Sequence, residues 1–142
     1  MKVQSILQSK GTDVFCVAKS DKISDAVTLL TLKRIGAVAV TDQAGALCGI
    51  LSERDIVRRM GQGEKSVQSL SVESCMTPDP YTCAPEASVH SVLERMTKHR
   101  IRHMPVVQGN ELIGLVTIGD IVKSKIDETV QEAEALRDYI AT

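Results

Sequence analysis

The sequence predicts a mixed α/β (α+β) fold: two β-α-β-β-α units packed about a pseudo-twofold axis and followed by a long C-terminal helix. Three observations predict it. The first is an internal repeat, sought before any element is assigned because a missed repeat misassigns the whole fold. Leu47-Cys48-Gly49-Ile50-Leu51-Ser52-Glu53-Arg54-Asp55-Ile56-Val57 aligns with Leu112-Ile113-Gly114-Leu115-Val116-Thr117-Ile118-Gly119-Asp120-Ile121-Val122 at an offset of 65. The second is a change of apolar period inside each copy, from helical to β-rich. The third is the run from Asp120 to Thr142, which holds neither Gly nor Pro.

Upstream of the aligned block the offset is 66: Ile23 matches Val89, Ala26 matches Val92, Leu30 matches Met96 and Arg34-Ile35 matches Arg100-Ile101. The turn Asp42-Gln43-Ala44-Gly45 against Gln108-Gly109-Asn110 accounts for the difference of one. Each copy reads in the same order. A short lead-in strand (14–17, 81–83) precedes an apolar helical face, Ile23, Ala26, Val27 and Leu30 in one copy and Val89, Val92, Leu93 and Met96 in the other. Two β-rich runs around a Gly-containing turn then make a hairpin, 37–41 with 46–51 and 104–107 with 111–116. A helix follows each hairpin, ending near Gly61 in the first copy.

Gly63, several Ser, Pro78 and Pro80 between Gln62 and Pro80 mark the connection. The expected division is a first unit at 1–62 with an N-terminal helical turn, a connector at 63–71, a second unit at 72–126 and a helical extension at 127–142. A unit of about 60 residues buries only roughly 60% of its unfolded surface, so the two should pack on each other. Around and beyond Asp120, Ile118, Ile121, Val122, Ile126, Val130, Ala133, Leu136 and Ile140 recur at three and four, giving a helix about 30 Å long. Val3, Ile6 and Leu7 form a short apolar face expected against it, and a second subunit is expected over the remaining stripe, making a homodimer.

Composition narrows the function. Apolar residues are 43% of 142, enough for a core, and 17 Lys+Arg against 18 Asp+Glu leave no overall field for duplex DNA or an anionic membrane. Phe15, Tyr81 and Tyr139 are the whole aromatic complement, too few for single-strand stacking platforms, so nucleic acid is disfavoured as a partner. No apolar run approaches the roughly 20 residues of a membrane span and no hydrophobic signal segment follows Met1, so no membrane partner and a cytoplasmic location are expected. Cys16, Cys48, Cys75 and Cys83 lack metal-ligand spacing and are expected as free, mostly buried thiols, with no metal site. No catalytic triad, phosphate-binding Gly-rich loop or paired-carboxylate site is present, so no catalytic residue is assigned and no enzyme is expected.

The repeated signature is Gly, two apolar residues, Ser or Thr, any two residues, then Asp. Structurally it is a strand-to-helix corner, with Ser52 and Thr117 as N-caps and Asp55 and Asp120 at N3 beside the helix dipole. Chemically, a helix N-terminus receives phosphate and a carboxylate one turn in can accept both hydroxyls of a ribose diol. The pieces match a ribonucleotide.

This corner resembles that of the cystathionine β-synthase (CBS) domain, whose tandem pair forms a Bateman module. Cys75-Met76-Thr77-Pro78 is similar to the family's lead into a second unit, and His99-Arg100-Ile101-Arg102-His103-Met104-Pro105-Val106-Val107 to its R-x-x-h-P-V-h strand. The resemblance implies a regulatory module that binds an adenosyl nucleotide between the two units, the ligand being AMP, ATP, NAD(H) or S-adenosylmethionine, and signals to an unidentified effector protein. By position it assigns ribose or phosphate contacts to Ser52, Asp55, Thr117 and Asp120, phosphate contacts to Arg100, Arg102 and His103, and base contacts to Met104 and Pro105. Ala37 and Val38 join them from the equivalent strand of the first half. That half has Ala39 for the Pro and Gly36-Ala37 where Arg102-His103 stand, so the second site should hold phosphate better unless these cations reach across the pseudo-twofold. Two other roles remain open: a structural or interaction module with unoccupied sites, and a regulatory subunit of an enzyme complex. Lys98 to His103 has its own plain reading as a solvated charge run.

Overall fold

The computed structural model describes residues 1–141 and is a mixed α+β structure with six helices and two sheets. In chain order, α1 (Val3–Lys10) precedes the first half, which contains β1 (Cys16–Ala18), α2 (Ile23–Lys33), β2 (Ala37–Thr41), β3 (Leu47–Ser52) and α3 (Glu53–Gly61). A 3-10 turn (Val67–Ser69), α4 (Val72–Cys75) and β4 (Thr77–Pro78) lead to α5 (Val89–His99), β5 (His103–Gln108), β6 (Glu111–Thr117) and α6 (Ile118–Ala141).

The helical and hairpin periods fall where the sequence places them. In the first sheet the order is β1-β2-β3-β4, with β1 parallel to β2 and the other pairs antiparallel. The second half pairs β5 with β6, and its lead-in strand shrinks to one parallel bridge, Cys83 with Val106. Pro85 explains this, because a residue without an N–H cannot extend the ladder beyond Cys83. Both β-bulges fall at equivalent places, between Val40 and Thr41 and between Val106 and Val107. Val27 departs from the expected helix face: it is 40% exposed, while Ile23, Ala26 and Leu30 are buried. The thiols depart as well. All four are free, but Cys16 is exposed, Cys48 and Cys75 are half-buried and only Cys83 is buried, its thiol pushed up to about 11 by burial. Cys16 is solvent-facing because it occupies the outward face of a short edge strand.

There are two cores, and each borrows a segment from beyond its own repeat. Val17, Ile23, Ala26, Leu30, Val38, Val40, Leu51 and Ile56 pack with Val67 and Val72, whereas Val89, Val92, Met96, Met104, Val106, Val116 and Ile121 pack with Val3, Ile6 and Leu7. The turn grouped by sequence with the first unit thus lies on the core of the second. Its attachments have counterparts throughout. Val3 N–H donates to the Ala87 carbonyl and Val89 N–H to that of Met1, just as Val72 N–H donates to Asp21 and Ile23 N–H to Leu70. The bridges Lys2 with Ser88 and Lys22 with Ser71 repeat the relation.

Two glycines explain why these helices dock so closely. A β-carbon at Gly114 would stand 2.7 Å from Leu7, and one at Gly49 would stand 2.5 Å from the Met76 sulfur. Without that atom the apolar end of each docked segment lies directly on the sheet backbone. As expected, α1 also meets the start of α6, where the Ser124 hydroxyl donates to Met1 Sδ at 2.8 Å. No helix among the described residues is long and apolar enough to cross a membrane.

Candidate nucleotide site

Each hairpin delivers its last residue as the N-cap of the following helix. Ser52 N–H donates to Asp55 Oδ2 at 2.9 Å and Asp55 N–H to Ser52 Oγ at 3.2 Å, a reciprocal capping box. Thr117 and Asp120 form the same box at 3.0 and 3.1 Å. The structural role read from sequence is therefore present at both corners, and it fixes the carboxylates.

The same corners tie each hairpin to the loop before it. Glu53 N–H donates to the Gly36 carbonyl at 2.9 Å, and Ile118 N–H to the Arg102 carbonyl at 2.8 Å. Two of the first three N–H groups of α3 are thus occupied, as are two at the start of α6. This corrects the expectation of an open helix N-terminus: side chains must supply most of the binding to an anion here.

Those side chains come from both halves. A cavity of about 330 Å³ is lined by Ser52, Glu53, Arg54, Asp55 and Arg58 of the first corner together with Arg100, Arg102 and His103 of the second half. Its size lies at the lower end of ordinary ligand pockets, roughly 300–1,000 Å³. Arg100 ends α5 in the left-handed conformation, with φ 55°, and so turns the chain toward this cavity. His99 and His103 consequently do not share a helix, in keeping with the reading that their spacing is not a metal pair. Tyr81 and His99 also line it, their rings stacked with centroids 3.9 Å apart.

A second cavity, of about 400 Å³, lies against Thr117 and Leu115 and takes its opposite wall from Arg34, Ile35, Gly36 and Ala37. Phe15 stands in it as Tyr81 stands in the first, and Lys10 enters it from the end of α1. Lys10 Nζ lies 2.7 Å from Asp120 Oδ2 and 3.1 Å from the Leu115 carbonyl oxygen. Burial alone would raise the Asp120 carboxyl, but the Lys10 and Thr117 hydrogen bonds bring it below its ordinary value. Asp55 has a different neighbour. Its Oδ1 accepts the Thr77 hydroxyl at 3.2 Å, and Arg58 comes no nearer than 3.7 Å.

His103 borders both cavities. A β-carbon on Gly36 would approach its ring to 3.3 Å, so the absence of a side chain at Gly36 leaves room for the imidazole between the halves. Burial lowers the His103 pKa, with Glu53 opposing and Arg102, Lys10 and Asp120 adding smaller effects of both signs. Met104, Pro105 and Val38 are buried in their strands and line neither cavity; Ala37 lines the second. Sequence reasoning did not single out Arg54, Arg58, Thr77, Tyr81 or Lys10. Arg54 and Arg58 carried a signal, since they lie on the first turns of a helix whose start was already assigned.

Two halves of like topology that exchange docking segments and face each other across paired acid-capped corners define a tandem repeat module. The family model for the CBS domain matches this chain twice, at residues 5–62 and 72–133, and the chain belongs to the CBS-domain family as a tandem pair. It is 33% identical over 147 residues to the mitochondrial CBS domain-containing protein CBSX3 of Arabidopsis thaliana, covering 97% of this chain and 71% of that protein. A crystal structure of a CBS-domain containing protein from Agrobacterium tumefaciens superimposes with a TM-score of 0.84 at 35% identity, over 87% of this chain and 92% of that one. The CBS domain pair of protein MJ0100, in complex with 5-methylthioadenosine and S-adenosyl-L-methionine, gives 0.76 at 27% identity over 87% and 98%. The CBS domain protein PAE2072 of Pyrobaculum aerophilum, complexed with AMP, gives 0.75 at 25% identity over 84% and 89%.

Proposed function

We propose that this chain is a regulatory module that binds an adenosyl nucleotide between its two CBS units and signals to a partner protein through the resulting change in shape or stability. The observation that carries this reading is the composition of the first cavity. It opposes an acid-capped corner, Ser52 and Asp55, to two guanidinium groups, Arg100 and Arg102, and the His103 imidazole from the other half. A carboxylate for a diol and guanidinium groups for phosphate, separated across one cleft, suit a ribonucleotide laid between the halves. The adenosyl ligands of the MJ0100 and Pyrobaculum aerophilum proteins support the choice of adenosine as the nucleoside. AMP, ATP, NAD(H) and S-adenosylmethionine share that group.

Ligand linkage tests it. A ligand that binds only the folded chain, at a hundred times its dissociation constant, adds about 2.7 kcal/mol, roughly 5 °C in Tm for this length. AMP or another of these adenosyl compounds should give that rise and guanosine counterparts little. A flat melting temperature with all four compounds rejects the proposal.

The chain is proposed to act as a homodimer through α6. Val122, Ile126 and Val130 are exposed at four-residue spacing along this helix, and Val57 and Met60 are exposed on α3. Sedimentation should give twice 15.4 kDa. A species of single mass at tens of micromolar would contradict it.

A further inference from the structure

Lys10 borders the second cavity and also a separate one of about 270 Å³ that Asp120 lines, so it stands between Asp120 and the second cavity. We propose that Lys10 holds Asp120 in place of a ribose and closes it off from the second cavity, so that the chain takes one adenosyl nucleotide, at Asp55, and admits a second only when the Lys10–Asp120 pair is broken. The proposal rests on the nucleotide reading above and adds which of two equivalent corners is open.

The corners differ in what sits on the carboxylate. At Asp55 both side-chain donors within hydrogen-bond distance are hydroxyls, Ser52 on Oδ2 at 3.1 Å and Thr77 on Oδ1 at 3.2 Å. A hydroxyl rotates and can both donate and accept, so it yields a carboxylate oxygen to a diol without moving a charge. At Asp120 the donor is an ammonium at 2.7 Å. Displacing it breaks a charge-assisted hydrogen bond and its tie to the Leu115 carbonyl together.

The fold holds this ammonium in place. Lys10 is the last residue of α1, one turn beyond Leu7, which is seated against Gly114, and Gly11 N–H closes the helix on the Leu7 carbonyl. The sequence around α4 repeats that of α1, Val3-Gln4-Ser5-Ile6-Leu7 matching Val72-Glu73-Ser74-Cys75-Met76 at an offset of 69. At that offset the residue standing where Lys10 stands is Asp79, and the nearest cation to Asp55 is Arg58, at 3.7 Å and outside hydrogen-bond distance. The surrounding charge acts in the same direction. Arg54, Arg58, Arg100 and Arg102 line the first cavity, and among the described residues Lys10 and Arg34 are the Lys or Arg lining the second.

Calorimetric titration of the full chain with AMP, and in parallel with S-adenosylmethionine, reads the outcome as equivalents bound per chain. The wild type should bind one, and Asp55→Asn should lose it. Lys10→Met, which keeps the aliphatic stem of an exposed side chain, should bind a second equivalent at least tenfold more tightly than the wild type does. Lys10→Met combined with Asp120→Asn should lose that equivalent again. Lys10→Gln gives an independent check on folding, judged by its melting curve, and should behave as Lys10→Met. Two equivalents in the wild type with affinities within tenfold, or folded Lys10 variants that still bind one, would overturn the proposal and leave the nucleotide reading standing. Binding of neither compound by the wild type and the Lys10 variants would overturn both.

Discussion

The two cavities are built from one motif by the same hairpin and the same capping box, yet they face different surroundings. The first gathers four arginines around Asp55; at the second, Lys10 stands between the cavity and Asp120 and is already paired with that carboxylate. What separates them is three short stretches outside the repeated corner: the residues after α2 against those after α5, and the tip of α1. Duplication preserves the part of a site that must fold and leaves the part that meets ligand free to diverge. Gly36 and Arg102 show this at one pair of aligned positions, for a guanidinium at Gly36 would occupy the space of the His103 ring, and at Arg102 it lines the first cavity.

The largest expected effect breaks that difference at its cationic end. Arg102→Ala should weaken AMP by about 1.5–3 kcal/mol, roughly ten- to a hundredfold, and adenosine by much less, because a charge-assisted hydrogen bond to phosphate is lost. Competition binding with the two ligands measures it, and equal weakening would assign Arg102 to packing.

Next in size is the backbone seat of each docked segment. Gly49→Ala meets the Met76 sulfur at 2.5 Å and the Thr77 carbonyl oxygen at 3.1 Å, whereas Gly114→Ala meets only the branched end of Leu7. Backbone yields less than a side-chain tip, so Gly49→Ala should cost about 1–3 kcal/mol and Gly114→Ala should fall below it. Urea unfolding of both variants orders them, and a reversed order would show that the second seat is the tighter one.

The smallest effect is a titration at the shared wall. Because burial lowers the His103 pKa below that of the unfolded chain, the neutral form belongs to the folded state. Its contribution to stability is complete above about pH 6.5 and is lost as pH falls toward the folded value. His103→Gln should flatten that part of the stability profile between pH 7 and pH 5. Asp120 has the opposite setting for a carboxylate, lowered in the fold, so its contribution persists above about pH 4 and is lost only in stronger acid. A His103→Gln profile parallel to that of the wild type would show that the imidazole does not carry the lower-pH loss.

The repeat made most of this legible before any coordinates. Helix faces, hairpins and the two acid-capped corners follow from apolar period and from one aligned block, because local chemistry decides them. Where a short amphipathic segment docks is a tertiary matter, and here α1 lies on the far half. Its likeness to α4 was present as Val-x-Ser followed by two apolar residues, but the offset changes from 69 there to 66 at Phe15 and Tyr81, which hides it from a fixed-offset comparison. Proximity in sequence places Arg100 and Arg102 at the second site unless they reach across the pseudo-twofold, and sequence alone does not choose between the two. Crossing the pseudo-twofold puts them opposite Ser52 and Asp55 instead.

The borrowed segments also set an order of events during synthesis. Met76 leaves the ribosome about 27 residues after Gly49, a wait of roughly 1–5 s at ordinary elongation rates, so the first half closes its sheet while the rest is still being translated. Leu7 emerges about 107 residues before Gly114 and waits roughly 5–20 s for its seat. An isolated helix of 8 residues is far too short to persist in water, so through that interval α1 is unfolded, and a segment made before the first half is among the last to fold.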